Sequence, residues 1–144
     1  MTRLQIFLAA LWWGSLTTVG FMVVPMLFMH LGTPAIAGQM AGKLFSAQTW
    51  LAVACGILLL LAAKRQNIDK AHAPSPWVIA GMLLALLIEL AVKPPIMALD
   101  NLALWHNLGS AFYVLQWVCA GKVLWSLCPA NPEPAIAADS VQTD

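Results

Sequence analysis

The sequence predicts an all-α integral membrane protein, a four-helix bundle with both termini cytoplasmic. Three observations carry that fold class. Of 144 residues, 61% are hydrophobic and 9% charged, and mean hydropathy is +0.81, whereas a soluble domain carries roughly 25% charged and 45–50% apolar residues. The apolar residues fall in long runs, and a bilayer core of about 30 Å needs about 20 of them as helix, because no backbone facing lipid can go unpaired. The basic residues of the connections gather on one side, which fixes orientation. Seven Lys/Arg against six Asp/Glu leave +1, so there is no basic field for nucleic acid, and the length allows one domain.

The first span is expected over 4–31. Arg3 followed by an apolar run has the look of a secretory signal, but no small-x-small site follows, and Trp12-Trp13 stands where such a segment holds Leu and Ala. An uncleaved helix is the better reading. The second span, 44–63, lies between Lys43 and Lys64 and contains no charge. A third is expected over 77–99, interrupted by Glu89, Lys93, Pro94 and Pro95, and a fourth over 102–127, ending before Cys128-Pro129. Residues 1–128 thus form one membrane domain. The remainder, 129–144, has three prolines and no aromatic residue, the composition of a disordered tail.

The connection KRQNIDKAHAPSP holds Lys64, Arg65 and Lys70, and Arg3 falls on the same side. The opposite connections offer Lys43 and Lys93. Both termini are therefore expected in the cytoplasm, with Trp77, Trp105 and Trp125 as interfacial anchors. His72 falls in the cytoplasmic connection as a solvated residue. No repeat of useful fidelity relates the two halves. Cys55, Cys119 and Cys128 are odd in number and lack CxxC spacing, which suggests neither a disulfide framework nor a zinc site.

In this orientation the inner halves of the spans are Leu, Ala, Val and Ile. The outer halves hold Met26, Met29, His30, Gln48, Glu89, Lys93, Met97, Asp100 and His106. Ionisable groups within a membrane cost about 2.5–3.5 kcal/mol each and tend to face the bundle interior. Glu89 and Lys93, at i and i+4, share a helix face. Pro94 and Pro95 then remove two backbone donors and leave the carbonyls of Leu90 and Ala91 without their usual partners. A broken helix beside charges is one way of building a solute or ion site. The plainer alternative is a kink with a pair that neutralises itself.

Met22, Met26, Met29 and His30 recur at helical spacing on one face. With His106 they supply thioether and imidazole, ligands that suit Cu(I), and Asp100 or Asn107 could orient an imidazole. Against this, Met is an ordinary packing residue, and a lone His can simply bond a carbonyl. His30 and His106 could also be axial ligands of a b-type haem, although Gly32 and Pro34 place His30 at a helix end. Gly38 and Gly42 form a GxxxG between the first two spans, a packing motif. No Walker loop, HExxH, GxSxG or paired-carboxylate arrangement occurs, so no enzyme is expected.

Several segments together resemble one family. Trp13-Gly14, the Phe21 to Phe28 segment with Pro25 before Leu27-Phe28, and Ala37-Gly38, Gly42 and Leu44-Phe45 are similar to the first hairpin of the bacterial domain-of-unknown-function 4149 family, itself similar to eukaryotic transmembrane protein 205. Lys93-Pro94-Pro95-Ile96 and Trp105-His106-Asn107-Leu108-Gly109-Ser110 resemble its second half, so that the likeness would run over roughly residues 4 to 127. The resemblance implies a four-helix protein of the bacterial inner membrane, more loosely similar to copper-resistance CopD-type domains, with no established activity. The expectation is a protein that binds or moves a solute or a soft, copper-like metal ion at an outward-facing site. That site would comprise Glu89, Lys93, Asp100, His106 and Ser110, with Met26, Met29, His30 and His106 as metal ligands. Its partners would be the lipid bilayer and further copies of itself. The rival expectation is a non-catalytic assembly partner of another membrane subunit.

Overall fold

The computed structural model describes residues 3–65, 75–98 and 101–128. They form four helices: α1, Arg3–His30; α2, Pro34–Arg65; α3, residues 75–97; and α4, Leu102–Leu127. Asp100, His72 and the 129–144 tail lie outside the described residues.

The second helix begins at Pro34 rather than at residue 44, because Lys43 does not end it. Proline suits a first helical turn, where its missing N–H would have had no partner. Thr33 caps that turn. Its hydroxyl accepts the Ile36 N–H at 3.4 Å and its carbonyl accepts the Ala37 N–H at 3.1 Å.

Two of the helices carry a wide turn. In α1, Val19–Val23 is π-helical and the Val24 N–H bonds the Val19 carbonyl five residues back. In α3, Ile88–Val92 is π-helical and the Lys93 N–H bonds the Ile88 carbonyl. Each turn ends two residues before a proline, Pro25 or Pro94. A proline offers no N–H and its ring pushes on the carbonyl four residues earlier, and both helices absorb that disturbance by widening. The two wide turns stand in the same register to their prolines, Val-Val-Pro in one helix and Val-Lys-Pro in the other.

The helices alternate in direction. Trp13 lies against Gly121 and Tyr113 against Gly20, so α1 and α4 are antiparallel. Gly81 faces Cys119 while Gly109 faces Val92, and Gly56 faces Val78 while Ser46 meets Glu89, which fixes α3 against both α4 and α2. Each helix packs on the next and α4 closes back on α1.

One half of this bundle is solid. Leu8, Ala9, Trp12, Leu16, Ala52, Cys55, Leu59, Val78, Ala85, Ala120, Val123 and Leu127 form its core. Trp12 is wholly buried, and it fits because Gly81 has no side chain: a Cβ there would stand 2.7 Å from the indole. At mid-height polar groups tie helices together. Tyr113 OH donates to the Leu16 carbonyl at 2.9 Å, Trp117 Nε1 to Thr17 Oγ1 at 2.9 Å and Gln48 Nε2 to Ser15 Oγ at 3.0 Å. Trp117 also packs against Trp13 and Phe21, with ring centroids 5.5 and 5.7 Å away.

Polarity is reversed relative to a soluble domain. Phe7, Trp50, Leu83, Leu90 and Trp125 are exposed, while Gln5, Gln48, Thr49 and Gln116 are buried. Three helices, Arg3–His30, Pro34–Arg65 and Pro76–Met97, are long and apolar enough to cross a membrane. The fourth expected span exists as a helix of 26 residues, but His106, Asn107, Gln116 and Lys122 dilute its apolar character. The architecture is that of a multi-pass membrane protein.

Candidate functional site

Beyond the wide turn of α1, Val24–His30 packs on α2 and leaves α4, while Lys93–Met97 stays on α4. The bundle thus divides into two hairpins, and a cavity of about 400 Å³ lies between them. Its walls are Phe21, Val24 and Phe28 from α1, Gly38, Ala41, Gly42 and Phe45 from α2, Ile88, Val92, Ile96 and Met97 from α3, and Gly109, Tyr113 and Val114 from α4. Four further residues bring chemistry to it: Glu89, Lys93, His106 and Ser110.

Tyr113 is its base. The ring stands edge-on to Phe45 with centroids 5.2 Å apart. It lies so close to α1 that a Cβ on Gly20 would come within 2.3 Å of it. Gly38 and Gly42 act differently from the expected close-packing motif. A Cβ at Gly38 meets nothing within 4 Å, and one at Gly42 meets only Met97 Sδ at 3.9 Å. Their missing side chains enlarge the cavity instead of drawing helices together.

Glu89 and Lys93 form the expected pair, Nζ to Oε1 2.7 Å, with side chains 17% and 34% exposed respectively. The wide turn carries Glu89 and ends immediately before Lys93, so both point toward α2. There Ser46 completes the cluster. Its Oγ lies 3.0 Å from each Glu89 carboxylate oxygen, accepts from Lys93 Nζ and is 3.1 Å from the Gly42 carbonyl. One hydroxyl can donate to an acceptor while accepting from the ammonium, so Ser46 bridges acid and base across the α2–α3 boundary. Sequence reasoning passed over it. Its signal was a hydroxyl inside the otherwise charge-free second span.

The remaining candidates separate. Ser110 Oγ donates to the His106 carbonyl of its own helix at 2.9 Å, and both residues are exposed at the rim of the cavity. His30 Nδ1 lies 2.9 Å from the Met26 carbonyl, which can only accept, so that nitrogen carries the proton. Met26, Met29 and His30 are exposed and do not line the cavity, so the structure does not join them to His106 there. Among the described residues no group of three or more His, Cys, Asp and Glu is placed to hold a metal ion.

A family model described as domain of unknown function (DUF4149) matches residues 7–104. The chain belongs to the DUF4149 family. The DUF4149 match takes in both wide turns, Pro25, Pro94, Ser46, Glu89 and Lys93. It ends before His106 and Ser110, so it is shorter than the stretch to residue 127 over which the resemblance was expected. The acid–base–hydroxyl cluster is therefore within the DUF4149 region and the rim histidine is not. No curated protein and no solved structure matches the chain.

Proposed function

We propose that this DUF4149 protein is a non-enzymatic protein of the bacterial inner membrane that binds a small solute in the open half of its bundle. Glu89, Lys93 and Ser46 recognise it, and His106 and Ser110 stand at the rim. The observation that carries this reading is the ion pair bridged by Ser46 in the wall of a cavity. A pair that did nothing but neutralise itself would still carry the insertion cost of two charges, about 2.5–3.5 kcal/mol each. An apolar cavity of this size with a few convergent polar groups is what small-ligand sites look like, at roughly 300–1,000 Å³. Among the described residues, His106 and Met97 are the soft side chains that line it, which favours a solute over a copper-like ion.

Lys64, Arg65, Lys122 and Arg3 belong to the solid half, which holds the start of α1 and the end of α4. The positive-inside bias supports a cytoplasmic location for that half and an outward-facing cavity. Movement of the solute across the bilayer would call for a homo-oligomer, since the solid half offers no passage.

Native mass spectrometry of protein extracted in mild detergent, with elemental analysis of the same sample, tests the reading. The expected result is a bound small molecule that is lost in Glu89→Gln and Lys93→Met. Stoichiometric copper lost in His106→Ala would favour the metal site instead. Constant recovery of one other membrane subunit, with no bound solute, would favour an assembly role.

A further inference from the structure

The cavity is polar on one side and apolar on the side diagonally across the bundle. The polar side is the α2–α3 boundary, where Glu89 and Lys93 line the cavity and Ser46 stands behind them, bonded to both. Beyond that cluster lies a second recess of about 340 Å³, lined by Gln39, Gly42, Lys43, Ser46, Lys93 and Met97. The two cavities share Gly42, Lys93 and Met97, so Lys93 is reached from both. The apolar side is the α1–α4 boundary, where Val24–His30 has drawn away from α4. Phe21, Phe28 and Val114 line the cavity there and are 54%, 48% and 47% exposed, on the outward surface of a membrane helix bundle.

A path from the α1–α4 boundary therefore begins among Phe21, Phe28 and Val114, with Ser110 one turn from Val114 on α4, and ends at the charged pair. Along it Glu89 balances Lys93, while Lys43 has no carboxylate within ion-pair distance among the described residues. Among the described residues, Glu89, Lys93 and Lys43 together leave one net positive charge at this end. An ammonium has three N–H donors. Glu89 and Ser46 take two from Lys93, which leaves one for a ligand oxygen.

We infer that the ligand is a single-chain amphiphile with an anionic head, admitted sideways from the bilayer between α1 and α4. This rests on the solute-binding reading above. The chain lies between Phe21, Phe28 and Val114, and the carboxylate or phosphate head reaches Lys93 and Lys43. A water-soluble ion would gain nothing from Phe21, Phe28 and Val114 at the mouth, and an uncharged head would gain nothing from the extra lysine.

The test uses the full chain in phosphatidylcholine nanodiscs, with three diazirine probes of one chain length: a fatty carboxylate, an alkyl phosphate and an alcohol. The carboxylate, the phosphate or both are expected to label peptides containing Phe21, Phe28 or Val114, and which of them does so identifies the head. The alcohol labels about tenfold less, equivalent to about 1.4 kcal/mol. Lys43→Gln, at an exposed position, reduces labelling by the anionic probes about fivefold, the scale of one partly exposed charge pair. Val114→Trp, and independently Ser110→Phe, block the mouth and abolish labelling. Equal labelling by the alcohol overturns the anionic head. Labelling that survives both blocking variants overturns the sideways route while leaving solute binding intact. Absence of labelling together with absence of any co-purifying solute overturns both readings.

Discussion

A carboxylate and an ammonium held in a membrane lose most of their hydration, so each depends on the other and on any hydroxyl nearby. Ser46 supplies that hydroxyl to both Glu89 and Lys93. Glu89→Gln leaves the ammonium without its counter-charge and is expected to cost about 1–3 kcal/mol, less than a fully buried pair would lose because Lys93 is one-third exposed. Adding Lys93→Met to it should recover most of that loss, so that a double-mutant cycle on thermal stability in detergent shows strong coupling. Additive losses would mean that the pair is solvated. Two glycines of one cavity give a sharper contrast. Gly20→Ala drives a methyl into Tyr113 and should lower stability by about 1–3 kcal/mol. Gly38→Ala meets nothing and should raise it by up to about 1 kcal/mol through helix propensity alone. At this scale the sequence was partly legible. The i, i+4 spacing of Glu89 and Lys93 states their pairing outright, because it depends on one helix. The role of Ser46 depends on how two helices pack, and no local pattern records that.

The elements were legible where hydrophobicity decides them and obscure where backbone geometry does. Four helices follow from apolar run length. The start of α2 at Pro34 does not, because Lys43 interrupts the apolar run without interrupting the helix. Pro25 and Pro94 announced a disturbance in α1 and α3, but a kink with stranded carbonyls and a wide turn share the same sequence signal. In both helices the residue after the wide turn bonds a carbonyl five residues back, Val24 to Val19 and Lys93 to Ile88. In α1 it also marks where the helix parts from α4. Pro25→Ala restores a donor to the ladder and should straighten α1, bringing its outer end nearer to α4. Spin labels at Met29→Cys and Leu104→Cys, in a background freed of the native cysteines, would report a shorter distance by pulsed electron resonance. An unchanged distance would place the cause of the separation in the Tyr113–Gly20 contact instead.

As a whole, the molecule is a pair of hairpins joined along one half. Apolar side chains cover its outside and amides lie inside, an inversion that composition alone foretold. The location of the cavity was also foreshadowed, since the polar residues of the spans collect at the end away from the termini. Its division of the metal candidates was not: Met26, Met29 and His30 share a helical face, but the turn of α1 directs Val24 and Phe28 into the cavity and leaves that face outside. The distribution of Arg3, Lys64, Arg65 and Lys122 predicts that a fluorescent reporter fused after residue 144 is active in the cytoplasm and that a periplasm-dependent one is not. The opposite pattern would turn the cavity inward.

The hollow between the hairpins has a mechanical meaning as well. In the proposed orientation the close-packed half of the bundle lies across one leaflet and the hollow half across the other, so the bundle is compressible on one side only. Crowded tails in that leaflet push α1 toward α4 and work against filling the space, whereas loosely packed tails relieve the squeeze. Occupancy should therefore depend on acyl-chain composition even when the ligand concentration is held fixed, and the protein would register the tension of a single leaflet.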